Sequence, residues 1–307
     1  MRTRAVAVAA GATLCLLLTA CDTAGSAAPS ADVRRGGGAA EADRSDWPEA
    51  VVGAGLAKGL ALPVEPYLET YPQLVEIQRA QLAVQRTCMS GFGLRFDPPR
   101  PGLHPPSVGY NAANMKRRYG LTDPDEARRY GYRPPPEPHG PATPYEVKGA
   151  AENLVYDLSV PRGKPVPATY EGRPIPRGGC AGLSEREIGR FDENLPAKIN
   201  TDSFEQSRTD PAVMAVDKKW SACMRAKGFE AATPLEALNR ASAAGFPDDG
   251  LPMAVADVAC KESTDLVRVN FEAESGLQKA ALEKNRLALD ELRTKNEAVV
   301  KKAARYR

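Results

Sequence analysis

The chain has 307 residues, with 41 Lys and Arg against 39 Asp and Glu, 27 prolines and six cysteines, and 42% of it is apolar. That composition supports one sizeable core or two small ones, and the near balance of charge excludes a whole-protein electrostatic case for nucleic acid as a partner. Beyond the N-terminal segment no run is long and apolar enough to span a membrane as a helix.

In chain order, Arg2 and Arg4 form a positive start, and Ala5 to Thr19 is an apolar run too short to span. Leu18, Thr19, Ala20 and Cys21 then read like the lipobox of bacterial lipoproteins, with small residues directly before a cysteine. Residues 1–20 are therefore expected to be a lipoprotein signal peptide, with Cys21 as the lipidated first mature residue. Two acyl chains suffice for stable anchoring where one does not. The expected location is the outer face of the bacterial cytoplasmic membrane, and the alternative is ordinary cleavage near Ala20 with secretion. Loss of residues 1–20 removes two basic residues and no acidic ones, leaving 39 against 39.

Cys15 leaves with the signal and Cys21 is spent on lipid. Cys88, Cys180, Cys223 and Cys260 remain, an even number that reads as two disulfides in an oxidising compartment. No two are close enough in sequence for a metal knuckle, so neither metal nor cofactor is expected. Residues 21–46, rich in Ala, Gly and Ser, read as a flexible tether. Residues 47–307 read as a single helical region, with two related halves, 47–200 and 201–307, as a further reading.

Pro72 opens the first convincing helix, with Leu74, Ile77, Val84 and Cys88 on one stripe and Leu82 and Met89 beside it. Its end, Cys88, Met89 and Gly93, recurs as Cys223, Met224 and Gly228 at the same offsets. Gln85 stands where the second copy has Trp220. Residues 97–176 hold 17 of the 27 prolines, so loops and short helices are expected there. Helix starts are read from cap, first-turn proline and acid at Asp123, Pro124 and Glu126, at Thr143, Pro144 and Glu146, and at Thr233, Pro234 and Glu236. Ser184 with Glu187 is a fourth, without proline.

A further helix runs from Asp210, with Pro211 at its first position, to a stop at Gly228. Its stripe is Val213, Val216, Trp220, Cys223 and the stem of Lys227. The expected partner stripe is Val255, Ala259, Leu266 and Val269, with Cys260 at its edge, which makes an antiparallel hairpin. That geometry favours Cys223 with Cys260, and Cys88 with Cys180 is then the remainder, one of three connectivities. From Met253 the helical pattern continues without proline to Val299, about 50 residues or roughly 75 Å. It is expected to pack to about Leu292, with Thr294 to Arg307 loosely held. The fold class is thus mostly α: a disulfide-stapled hairpin, a long C-terminal helix, and a Pro-rich segment of short helices and loops.

The lipobox, the helix ending Trp220, Cys223, Met224 and Gly228, the Gly178, Gly179 and Cys180 turn, and Ala256, Asp257 and Cys260 together resemble a group of extracytoplasmic lipoproteins of actinobacteria. The resemblance covers most of residues 47–300. It implies location and a helical, disulfide-bonded fold, and it implies no activity.

His104 and His139 sit in proline-rich loops without a nucleophile or metal partner nearby in sequence, so no catalytic residue is assigned. The most distinctive patch is Lys116, Arg117, Arg118 and Tyr119 with Arg128, Arg129, Tyr130 and Arg133, in which Arg, Arg, Tyr and Gly occur twice. Those bases and phenols could hold an anionic envelope polymer or headgroup, or each run could simply close a helix at glycine, where positive side chains are favoured. The leading functional expectation is a non-enzymatic binding or scaffolding role at the envelope, beside a polymer or a membrane protein. The alternatives are an envelope hydrolase using carboxylates brought together by the fold, and an accessory subunit of a transporter or sensor.

Overall fold

The computed structural model describes residues 44–140, 142–246 and 250–306; Cys21, the signal segment and residues 22–43 lie outside the described residues. Arg44–Asp46, expected to belong to the tether, forms a 3-10 turn. The chain beyond it is mostly helical, with two disulfides and one two-stranded ribbon, and belongs to one compact unit.

Ten α-helices run in order: α1 Tyr71–Gly91, α2 Pro124–Tyr130, α3 Ala150–Asp157, α4 Gly179–Ile188, α5 Asn194–Ser207, α6 Pro211–Ala226, α7 Pro234–Ala243, α8 Leu251–Thr264, α9 Leu266–Lys284 and α10 Arg286–Ala303 among the described residues. Strands β1 (Thr169–Tyr170) and β2 (Arg173–Pro174) pair antiparallel between α3 and α4.

Local chemistry explains the starts. Thr70 and Gln73 close a capping box at α1, Asp123 caps α2, Asp210 caps α6 and Thr233 caps α7, each with proline in the first turn. Two expected starts are overturned. Thr143 to Glu146 carries no helix, and α3 begins at Ala150 behind Gly149. Ser184 lies inside α4, fully buried, where its hydroxyl donates to the Ala181 carbonyl and accepts from Gln85. The two helix ends sharing Cys, Met and Gly do match: Leu94 and Phe229 donate their amides to the carbonyls of Met89 and Met224 at 3.1 and 3.0 Å, with the glycine between in the left-handed region.

The C-terminal pattern is three helices. Asp265, at φ 59°, separates α8 from α9, and Asn285, at φ −106° and ψ 14°, separates α9 from α10. Asp and Asn compete with the helix by bonding nearby backbone, and Asn285 does so, donating its side-chain amide to the Ala281 carbonyl. These helices form the spine: α2 and α6 pack on α8, α5 and α6 on α9, and α1 on α10. Elements of residues 47–200 therefore share their cores with elements of residues 201–307.

Packing continues past the expected limit at Leu292. Asn296 is buried, its side-chain amide donating to the Asp192 carbonyl at 2.7 Å, and Ala303 closes a cluster with Ile77, Ala80, Val84 and Ile188. The stripe on α8 also differs from expectation. Val255 and Ala259 are exposed, whereas Ala254, Asp257, Val258 and Lys261 face inward. On α6 the stripe is Val213, Val216, Trp220 and Met224, and Trp220 is fully buried in the largest core cluster. Removing an indole from such a site costs roughly 3 to 5 kcal/mol.

Cys88–Cys180 ties α1 to α4 and Cys223–Cys260 ties α6 to α8, across 92 and 37 residues. In the chain-entropy account loops of these lengths contribute roughly 4 to 5 kcal/mol each. Gly179 makes the first bond possible: at φ +68°, a Cβ there would lie 2.3 Å from the Tyr156 carbonyl oxygen. Only a glycine lets the start of α4 pass this close to the end of α3.

Candidate functional site

The repeated Arg, Arg, Tyr and Gly runs have different fates. Arg128, Arg129 and Tyr130 do form the last turn of a helix, α2, closed by Gly131. Arg117 to Gly120 lies in turns rather than at a helix end. Arg128 and Arg129 are exposed, with Arg128 paired to Asp125. Arg133 donates to the Phe246 carbonyl. Lys116 and Arg117 both pair with Glu126 at 3.1 Å, and Arg117 also donates to the Tyr132 and Arg133 carbonyls. Arg118 and Tyr119 turn inward to a carboxylate 155 or more residues away. The eight side chains thus occupy three settings rather than one face.

The inward pair meets Glu274 on α9, which is fully buried. Glu274 accepts from Arg118 Nε and Nη2, from the Tyr119 hydroxyl at 2.8 Å and from Gln278 Nε2 at 3.0 Å, which fills the carboxylate's acceptor sites. Gln278 in turn donates to Ser203 and accepts from the Val64 amide. Arg118 also donates to the Ala112 and Asn200 carbonyls, and its guanidinium lies over the Phe204 ring, 4.5 Å from the centroid. Burial and the Glu274 charge push the Tyr119 phenol well above its ordinary range.

A second buried ion pair joins Asp257 and Lys261, one turn apart on α8, at 2.9 Å with both side chains fully enclosed. Lys261 also donates to the Leu121 carbonyl at 2.7 Å, and Trp220 Nε1 donates to Asp257 at 3.0 Å. Burial drives the Asp257 carboxyl up and the Lys261 ammonium down, while their mutual attraction opposes both shifts. The Tyr132 phenol, buried beside Asp257, is likewise raised.

A cleft of about 320 Å³ opens between these two networks. Its walls come from the Arg118 to Gly120 turn, the end of α5, the first half of α6, the start of α7, and α9. Phe204, Val213, Leu235 and Leu266 supply apolar surface, and Asp217, Arg208 and Asn270 supply polar groups. Lys261 lies directly behind Gly120: a Cβ on that glycine would come within 3.0 Å of Nζ. The size is that of a site for a small organic molecule. Burial raises the Asp217 carboxyl to about 6, against the pull of the Arg208 and Lys261 charges.

A larger cavity, about 580 Å³, lies beside Trp47 and the prolines of residues 135–138. Its charged groups already have partners: Asp46 with His139, Lys116 with Glu126, Asp123 as the α2 cap, and Glu49 on the Gly53 amide. His104 uses Nδ1 on the His139 and Gly140 carbonyls at 3.1 and 3.2 Å. The fold does bring two carboxylates together. Burial, then the charge of Glu193, raises Glu69, but Glu69 accepts from the Tyr110 hydroxyl and Glu193 from the Glu69 amide. Among the described residues no group of three or more His, Cys, Asp and Glu is placed to hold a metal ion, and no helix is long and apolar enough to cross a membrane.

The sequence pointed to Arg118 and Tyr119 but not to Asp217, Arg208, Phe204 or Asn270. The signal that could have found the cleft is the heavy use of polar residues at inward positions of α8 and α9, where Asp257, Lys261, Asn270, Glu274 and Gln278 recur at helical spacing. No family model matches the chain, and no curated protein or solved structure matches it.

Proposed function

We propose that this protein is a lipid-anchored extracytoplasmic binding protein, held at the outer face of the cytoplasmic membrane through Cys21 and taking a small ligand in the cleft between α5, α6, α7 and α9. The observation that carries the binding reading is the contrast at that cleft. Behind it, two buried ion pairs, Arg118 with Glu274 and Asp257 with Lys261, fix the walls. At its surface, the side chains of Asp217 and Arg208 make no hydrogen bond or ion pair among the described residues. A site whose supporting charges are paired with each other and whose lining charges are not is organised in advance for an outside molecule. The anchoring half is supported by the Leu18 to Cys21 motif and by two disulfides suited to an oxidising compartment.

Two measurements test it. Cys21→Ser is expected to abolish incorporation of labelled fatty acid and to release the protein from the membrane fraction; unchanged labelling refutes the anchor. Leu235→Arg, placed at the half-buried cleft wall, is expected to abolish any saturable small-molecule binding while leaving the fold intact by circular dichroism. Ligand binding that survives this substitution refutes the cleft.

A further inference from the structure

Asp217 and Arg208 line one cavity without pairing. Asp217 is half-buried on α6, and Arg208 stands exposed at the end of α5. Arg208 exerts the largest charge effect on the Asp217 carboxyl, ahead of Lys261, yet the two form no ion pair. Two more groups are left open among the described residues. Four of the five guanidinium N–H groups of Arg118 have acceptors, which leaves one on Nη1. Asn270 is buried and donates to the Leu266 carbonyl, while its Oδ1 accepts nothing.

The chemistry of the occupant can be reached by elimination. A neutral apolar molecule would cover the half-buried carboxylate without pairing it, which is unfavourable. A simple anion would be drawn to Arg208 and the spare Arg118 hydrogen but would face Asp217 and Glu205. A simple cation would pair with Asp217 but would face Arg208. A molecule carrying both charges a short distance apart satisfies both walls, and an apolar substituent on it would lie against Phe204, Leu235 and Leu266.

We propose that the cleft takes a small organic zwitterion, a free amino acid or dipeptide with an apolar side group, its ammonium at Asp217 and its carboxylate at Arg208. This rests on the binding-protein reading and names the chemistry of the same site. Selectivity then comes from the distance between the two protein charges, because a ligand lacking either leaves one of them desolvated and unpaired.

The test is calorimetric titration of the folded chain at pH 7.5 with L-leucine, L-phenylalanine and leucyl-phenylalanine. Two isosteres go beside them: leucine amide, which lacks the carboxylate, and isocaproate, which lacks the amine. At least one zwitterion is expected to bind saturably, with each isostere weaker by about tenfold or more. Asp217→Asn should erase the preference over the amine-less acid, and Arg208→Gln the preference over the amide. Binding should weaken as pH falls through about 6, where Asp217 gains its proton, and this dependence should vanish in Asp217→Asn. The other charged groups around Asp217 are Arg208, Arg118 and Glu205 in the cleft lining and Lys261 behind it. If no zwitterion binds, or if the isosteres bind as tightly and Asp217→Asn changes nothing, the inference is overturned. A different ligand whose binding is lost in Leu235→Arg but kept in Asp217→Asn would overturn the charge assignment alone and leave the cleft as the site.

Discussion

Lys261→Met isolates the buried ion pair behind the cleft. The substitution keeps an unbranched side chain of similar length but removes hydrogen bonds of 2.9 Å to Asp257 and 2.7 Å to the Leu121 carbonyl. It leaves a fully enclosed carboxylate with only Trp220 Nε1 and the adjacent Tyr132 phenol as donors, and a carbonyl with no donor. Breaking one partner of such a pair costs about 3 to 5 kcal/mol, which for a chain of this size lowers Tm by roughly 6 to 20 °C. The deficit must also depend on pH. Without the ammonium, Asp257 rises further above its unfolded value, so the folded variant holds a proton that the unfolded chain releases. Stability tied to a raised carboxyl is full at low pH and lost as pH rises, so the deficit should be smaller at pH 5 than at pH 8. Urea unfolding at the two pH values reads both quantities. Adding Asp257→Leu to Lys261→Met should restore part of the loss, because the enclosed charge is removed while the Leu121 carbonyl stays without a donor. A single variant within about 1 kcal/mol of the parent at pH 8, or a deficit that does not change with pH, would refute the reasoning.

Close approach at one glycine and burial of one carboxyl give two other expectations. Gly179→Ala should cost roughly 3 kcal/mol or more in chemical unfolding, since its methyl would overlap the Tyr156 carbonyl in a left-handed backbone; a neutral result would mean that α3 and α4 do not approach so closely. Burial raises the Glu65 carboxyl to about 7, only partly offset by the Leu62 amide and the Arg118 charge. Its protonated form favours folding at low pH, and that contribution is lost as pH rises through 7. Glu65→Gln, which cannot ionise, should therefore gain Tm relative to the parent at pH 8.5 compared with pH 6, and a constant difference would count against it.

Helix starts were legible where the chain spells a cap and a first-turn proline, as at Asp123, Asp210 and Thr233. The same spelling failed at Thr143, where Gly149, at φ +99°, would cut the expected helix off after little more than a turn, and α3 starts only behind it. The disulfides were legible because two helices meeting at Cys223 and Cys260 leave one pair over. The polar interior was not. Asp257 and Lys261 are spaced like any surface pair one turn apart, and periodicity alone sends charge to solvent, which is why it turns Val255 and Ala259 inward. Arg118 and Glu274 are separated by 156 residues, and nothing local announces that they meet. The cleft is the product of those long-range pairings, so its lining was visible only once α5, α6 and α9 were set side by side.

Each cysteine of the folded region is bonded to the next one along the chain, so the two covalent loops neither nest nor cross. For a polypeptide threaded N-terminus first into an oxidising space, thiols that join in order of arrival reach the native pairing without reshuffling. The first link can close while Cys223 has yet to emerge, although the cluster joining α1 to α4 is completed by Ala303, from the last helix. The bond between Cys88 and Cys180 would then act as a temporal clamp, holding two helices in register until the end of the chain arrives to cover them.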